Sequence, residues 1–168
     1  SDGIFRHWID PATGGPKGTW DPEFATLSTM KIVMAAARAR QYYPSDPMIR
    51  SAADAIICGV SNWDGYRVPG GDAMYFKGLG NGGPVTGSAA SPFHEGVLFV
   101  EQMAAYGGTG SATLYSRWLN RSLWPTATLV TGRSITSTAT NLFESSFISL
   151  YPLLLSSDYR GSSAWRTQ

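Results

Sequence analysis

Apolar positions recur at helical spacing in five stretches of the chain, separated by segments dense in glycine, proline and small polar residues. Leu27, Met30, Met34 and Ala37 predict a first helix from about Pro22 to Tyr43, which Pro44 stops. Ser45-Asp46-Pro47 opens a second helix, with Asp46 placed to cap it and Pro47 at the first helical position. Its stripe of Ile49, Ala52, Ala53, Ile56, Ile57, Val60 and Trp63 is the cleanest amphipathic pattern in the chain. A third helix is predicted from Ser91-Pro92-Phe93, with Ser91 as cap, to the Gly107-Gly108 pair. A fourth covers Ser111 to Leu123, closed by Trp124-Pro125. A fifth covers about Asn141 to Leu155, with Phe143, Phe147, Leu150 and Leu154 on one stripe and Pro152 kinking or shortening its end.

The connections carry their own signals. Residues 1–22 read as irregular, with turn formers packed into Asp10-Pro11-Ala12-Thr13-Gly14-Gly15-Pro16. Residues 64–91 form a long glycine-rich loop in which Met74-Tyr75-Phe76-Lys77 fits a short strand. Loops of this length in compact domains are functional or disordered, and two aromatics and an aspartate favour function. Residues 126–140 are rich in Thr and Ser, with β-branched Val130 and Ile135, and fit a loop or a small hairpin. No internal repeat is evident. The expected class is all-α: five helices in a small bundle, or in an arc of a larger ring of antiparallel hairpins.

Composition narrows the partners. The 168 residues fit one domain with a real core. A net charge of +1 and no basic stripe argue against nucleic acid. The charged fraction is 15%, while glycine numbers 19, which suits a compact domain with long ordered loops. The single cysteine, Cys58, excludes an internal disulfide and is expected to be a buried core thiol. With only His7 and His94 as further soft ligands, no zinc site is expected. One cysteine is compatible with the cytosol and with a periplasm. No signal peptide is visible, and no apolar run reaches the length of a membrane span. Six tryptophans, eight tyrosines and seven phenylalanines supply core packing and, where exposed, platforms for sugar rings.

The candidate chemistry lies in carboxylates. There is no phosphate loop, nucleophile elbow or metal-ligand helix pair, and Gly78-Leu79-Gly80-Asn81-Gly82-Gly83 reads as a flexible surface loop because it lacks a strand–turn–helix context. Glycoside hydrolysis needs two carboxyl groups, one of them kept protonated by a poorly solvated setting. Glu95 follows Phe93-His94 one turn before Leu98 and Phe99, at a helix mouth on a partly apolar face. Its bland alternative is a first-turn acid that complements the helix dipole. Asp10 is either an Asx-turn aspartate or a group holding a sugar hydroxyl, and Asp72 reads as a turn-making loop aspartate. His7 and His94 are candidate hydrogen-bonding partners for sugar hydroxyls. Trp8, Trp20, Trp63 and Tyr75 are stacking candidates, because each neighbours loop segments.

The stretch Asp2-Gly3-Ile4-Phe5-Arg6-His7-Trp8-Ile9-Asp10-Pro11-Ala12-Thr13-Gly14 resembles the opening motif of the glucoamylase-like glycoside hydrolases, which include bacterial β-1,2-glucan-degrading enzymes and domains of cyclic β-glucan synthases. Further resemblances follow in the same order: Leu27-Ser28-Thr29-Met30-Lys31 ahead of an alanine-rich helix, then Pro92-Phe93-His94-Glu95-Gly96, then Phe147-Ile148-Ser149-Leu150-Tyr151-Pro152 and Asp158-Tyr159-Arg160-Gly161. The resemblance implies an α/α toroid, here about half of a six-hairpin ring with long glycine-rich loops. Residues 1–168 would then be a single toroid-like domain forming the N-terminal part of a larger catalytic domain. One position departs: Lys31 stands where the family often has aspartate.

These readings lead to a glycoside hydrolase-like protein that acts on a bacterial β-glucan. Glu95 and Asp10 are the expected catalytic residues, and His7, Trp8, Trp20, Tyr75 and His94 the expected substrate-binding ones. The expected partners are an oligo- or polysaccharide and either the remainder of the protein or a second copy. No metal or organic cofactor is implied, and the resemblance suggests a periplasmic or secreted setting. The rival reading is a non-catalytic glycan-binding or assembly module, which Lys31 favours.

Overall fold

The computed structural model describes residues 2–15, 24–79, 82–90, 92, 96–124, 126–128, 131–136 and 154–156. The described chain is mainly helical, with short strands. Its longer elements are α1 (Thr26–Tyr42), α2 (Pro47–Gly59), α3 (Val97–Tyr106) and α4 (Thr109–Trp118). The strands are β1 (Phe24–Ala25), β2 (Met74–Tyr75), β3 (Lys77–Gly78), β4 (Ala89–Ala90), β5 (Thr126–Thr128) and β6 (Ser134–Thr136). The chain divides into two compact units, Ser1–Tyr66 with Tyr75–Ser88, and Arg67–Met74 with Ala89–Gln168. Most of the predicted fifth helix lies outside the described residues.

The first unit is built on the α1–α2 hairpin. Pro44 ends α1 as expected, and the Asp46 carboxylate accepts the Met48 and Ile49 amides at 2.9 and 3.0 Å to start α2 at Pro47. The two helices pack together, burying Met30, Val33 and Ala36 of α1 and Ala53 and Ile57 of α2. The Arg40–Asp54 pair, 3.1 Å apart, is about half exposed on both sides, so it contributes only about 0–1 kcal/mol beside that core.

Three expectations about α1, Cys58 and Trp63 are corrected in this unit. Helix α1 begins at Thr26 rather than Pro22, because Phe24 and Ala25 are extended and pair antiparallel with Gly78 and Lys77. Cys58 is exposed instead of buried. It follows the buried Ile57 by one position, and a helix turns about 100° per residue, so the thiol leaves the core face. Trp63 lies past the end of α2 and is 4% exposed, so it packs the core and presents no stacking face.

A buried carboxyl ties the unit together. Asp2 Oδ2 accepts the Tyr66 hydroxyl at 2.6 Å and the Gly83 amide at 2.8 Å, while its carbonyl accepts the Ser61 amide at 3.0 Å. The Gly78–Gly83 stretch, expected as a flexible surface loop, is therefore anchored at its far end. At its near end Gly78 is a buried strand residue, where an added Cβ would meet the Tyr66 hydroxyl at 2.5 Å. Gly3 is under two constraints at once. Its φ is +82°, and an added Cβ would fall 1.8 Å from the Gly59 carbonyl oxygen.

In the second unit, Gly96 takes a helical φ of −57°, and its carbonyl accepts the Phe99 and Val100 amides at the start of α3 at Val97; Pro92 lies in a bend, and Ser91 and Phe93 of the expected start lie outside the described residues. Six residues of α3 are buried: Val97, Leu98, Phe99, Val100, Gln102 and Met103. A helix covered on so many sides reads as a continuous apolar run. Gly107 and Gly108 end it in extended conformations with φ of −97° and −88°, without a left-handed cap. Helix α4 then runs from Thr109, two residues earlier than expected, and stops at Trp118 rather than Leu123. The side chain of Asn120 accepts from both the amide and the hydroxyl of Ser122, opening a separate 3-10 turn at Arg121–Leu123. The Thr- and Ser-rich stretch contains the small hairpin β5–β6, in which Thr126 faces Thr136 and Thr128 faces Ser134 along the backbone ladder.

The caps and the buried carboxyl yield measurable expectations. Asp46→Ala should lower the urea unfolding free energy by about 1 kcal/mol, with Asp46→Asn retaining most of it. Gly3→Ala, which adds strain to overlap, should lose more than about 2 kcal/mol in the same assay. Burial, then the hydrogen bond from its hydroxyl to Asp2 and the proximity of that carboxylate, raise the Tyr66 pKa far above the ordinary phenol range. A proton held more tightly in the folded chain stabilises it below the unfolded phenol's pKa of about 10 and is lost as a contribution above it. Unfolding midpoints of the native chain should therefore fall as pH rises past about 10, and this part of the slope should flatten in Tyr66→Phe.

Candidate functional site

The opening segment is held against the start of α1 by a chain of specific contacts. The Phe5 carbonyl accepts the Ala25 amide at 2.9 Å, and the Phe5 amide donates to Thr29 Oγ1 at 2.8 Å. Thr29 is fully buried and donates its own proton to the Ala25 carbonyl at 2.9 Å. Arg6 bridges Phe24 through the backbone and lays its guanidinium 4.7 Å from the centre of the Phe24 ring.

Beyond this anchor the chain turns outward. Trp8 and Ile9 are 45% and 47% exposed, and His7 is exposed as well. The His7 and Trp8 rings stack with centroids 4.8 Å apart and planes 26° from parallel. The segment then closes on itself. Gly14 donates to the Asp10 carbonyl at 2.8 Å, Asp10 donates to the Gly15 carbonyl at 2.9 Å, and Thr13 Oγ1 accepts the Gly15 amide at 3.2 Å. Asp10 Oδ1 accepts the Ala12 amide at 2.8 Å, which is an Asx turn. Gly14, at φ +69°, makes the left-handed corner that this loop requires. An exposed aromatic pair is thus presented between two braced stretches of backbone.

The expected site residues are distributed unevenly. His7 and Trp8 come together, with Asp10 two residues further in the adjoining turn. Tyr75 is half-buried in β2, and no hydrogen bond or ring contact joins it to the opening segment among the described residues. Trp20, His94 and Glu95 lie outside the described residues. Lys31 is exposed on α1, two positions after Thr29. Asp72 lies in a turn closed by backbone bonds, Val68 donating to the Ala73 carbonyl and Gly71 to the Val68 carbonyl, and it anchors that turn to α4. Arg117 engages both oxygens of the Asp72 carboxylate, with Nη2 at 2.8 Å from Oδ2, and Trp118 Nε1 donates to the Asp72 carbonyl at 2.6 Å. These ties make Asp72 a structural residue. Among the described residues no three His, Cys, Asp or Glu side chains converge as a metal would require. None of the described helices is long and apolar enough to cross a membrane.

Sequence reasoning missed Thr29 and Tyr66 and gave Asp2 no role of its own. A threonine in the first turn of a helix looks like an ordinary low-propensity residue, and only the partner 24 residues upstream reveals its use. A separate shallow groove of about 640 Å³ lies at the α1–α2 turn, lined by Tyr42, Tyr43, Pro44, Pro47 and Met48 among others. The Asp46 carboxylate in its wall is engaged in capping α2, which leaves that groove without an evident acid–base pair.

In comparisons with protein-family models, with curated proteins and with solved structures, nothing matches this chain.

Proposed function

We propose that this chain is carbohydrate-active: a glycoside hydrolase-like protein that binds a bacterial β-glucan through its opening segment. The observation that carries the reading is the exposed, stacked His7–Trp8 pair, braced on one side by Thr29 and on the other by the Asp10 turn. An indole face offers a pyranose a large apolar contact, and the imidazole beside it offers hydrogen bonds to hydroxyls. The resemblance of the same stretch to the glucoamylase-like opening motif points to the same ligand class. In this reading Glu95 is the acid–base carboxyl that protonates or deprotonates at the scissile bond. Asp10 holds a sugar hydroxyl with the carboxylate oxygen that the Ala12 amide does not use. Trp20, Tyr75 and His94 extend the sugar contacts. The α/α toroid and the periplasmic or secreted setting belong to this proposal as well.

A second reading is favoured by one residue. Lys31 puts an ammonium where the resembling enzymes often carry a carboxylate, and it sits exposed on α1. A protein that retains the aromatic platform but lacks one carboxylate would hold glucan without cleaving it.

The test is product release from β-1,2-, β-1,3- and β-1,4-glucans, with direct binding measured in parallel. Glu95→Gln should lower release by a factor of about 100 or more while leaving binding in place. Trp8→Ala should weaken glucan binding by roughly threefold to tenfold. Binding without release would leave the non-catalytic reading standing, and the absence of both would overturn the carbohydrate assignment.

A further inference from the structure

We propose that the groove at the α1–α2 turn is a second, non-catalytic glycan-binding surface, which holds a further stretch of the same neutral β-glucan polymer. The ligand class rests on the function proposed above; the place and the chemistry come from the groove itself. Tyr42 and Met48 are 79% and 81% exposed, and Tyr43 is half exposed, on a turn whose backbone Pro44 and Pro47 restrict. The two phenol rings meet edge to face with centroids 5.0 Å apart. Apolar surface gathered in this way at one turn marks a contact site, unlike single exposed residues scattered over a surface.

The polar groups decide the occupant. Asp46 is the one ionic residue in the lining, and its Oδ1 accepts both capping amides, which leaves Oδ2 as an uncommitted acceptor. The hydroxyls of Tyr42, Tyr43 and Ser45 have no hydrogen-bond partner among the described residues. Beside the groove, Arg40 is paired with Asp54, and Arg50 donates to the Pro44 carbonyl at 3.4 Å. Aromatic faces ringed by hydroxyls and one carboxylate acceptor complement a pyranose, which has an apolar face and a rim of hydroxyl groups. The lining offers no set of opposed charges that would fix the register of a charged protein segment. The turn is also ordered before any ligand arrives, because the Asp46 amide donates to the Tyr43 carbonyl at 3.2 Å and the Asp46 carboxylate caps α2.

Helix α1 separates this surface from the opening segment. Phe5 is bonded to Thr29 near the start of the helix and Tyr42 is its last residue, so about 20 Å of helix lies between them. A disaccharide is too short to touch both surfaces, whereas a polymer reaches both. Its second contact then becomes an intramolecular event, which raises affinity without any new kind of interaction.

The test is amide shift mapping by nuclear magnetic resonance on the native chain with β-1,2-, β-1,3- and β-1,4-linked glucose disaccharides, followed by affinity for the corresponding polymers. With the recognised linkage, shifts should appear at Tyr42, Tyr43, Ser45 and Asp46 as a group separate from those at His7 to Asp10. A Tyr42→Ala, Tyr43→Ala double variant should lose the first group, keep the second, and bind the polymer roughly tenfold more weakly or worse. Shifts confined to His7 to Asp10, or an unchanged polymer affinity in the double variant, would overturn the second surface and leave the proposed function standing. Shifts at the turn alone would support the groove and remove the opening segment from glycan binding. Shifts at the turn on raising protein concentration without sugar would assign the groove to a second copy and overturn its glycan role. No shift with any of the three sugars would overturn both readings.

Discussion

A carboxyl group removed from water must have its oxygens met by donors, or burial becomes strongly unfavourable. In the first unit that demand falls on Asp2, and much of the unit's loop geometry answers it. Tyr66 must come near enough to donate its hydroxyl, Gly83 must turn its amide inward, and Gly78 must lack a side chain so that the phenol can lie beside it. Ser61 closes the same cluster by donating to the Asp2 carbonyl just past the end of α2. The Gly3 turn follows directly. With Asp2 fixed beneath α2, the next residue passes so close to the Gly59 carbonyl that only glycine fits.

The opening segment depends on this cluster at one end and on Thr29 at the other. Between them Ile4 is buried and Phe5 is tied through both its backbone groups, so the chain reaches His7 with little freedom left. Ordering exposed aromatics ahead of a ligand reduces the entropy lost on binding, which is the physical advantage of a braced platform over a free one. The Asx turn at Asp10 serves the same end from the other side of the pair. In the proposed reading Asp10 combines this structural duty with a sugar contact, since a carboxylate has more acceptor positions than one amide consumes.

The parts of the fold legible in the sequence are those with local causes. Pro44, Asp46 and Pro47 mark the end of one helix and the start of the next through sterics and capping within a few residues, and the structure places both boundaries accordingly. In the Thr- and Ser-rich stretch, where a loop and a small hairpin both fit the β-branched content, the structure has the hairpin. Of the two-residue strands, β2 at Met74–Tyr75 falls where a short strand is expected, whereas β1 and β3 do not announce themselves, because a period of two needs more residues than Phe24–Ala25 or Lys77–Gly78 provide. Cys58 and Trp63 were misread because an apolar stripe gives the mean direction of a helix face and not the exposure of each position along it. Of the site, the aromatic pair and the Asp10 turn could be read from adjacent residues. The Asp2–Tyr66 bond spans 64 positions and the Thr29–Phe5 bond 24, and no local pattern announces either.

The Asp2 cluster also bears on how the chain reaches its folded form. Its partners lie at Ser61, Tyr66 and Gly83, and the intervening residues Arg67–Met74 belong to the other unit. A nascent polypeptide leaving the ribosome therefore keeps Asp2 short of its Gly83 donor, its carboxylate still in water, until the chain beyond residue 83 has emerged, although α1 and α2 can pair well before that. Contacts between residues so far apart in sequence must overcome loop-closure entropy before they contribute, which slows their formation relative to the helical hairpin. The two units, interleaved along the chain, cannot mature strictly one after the other.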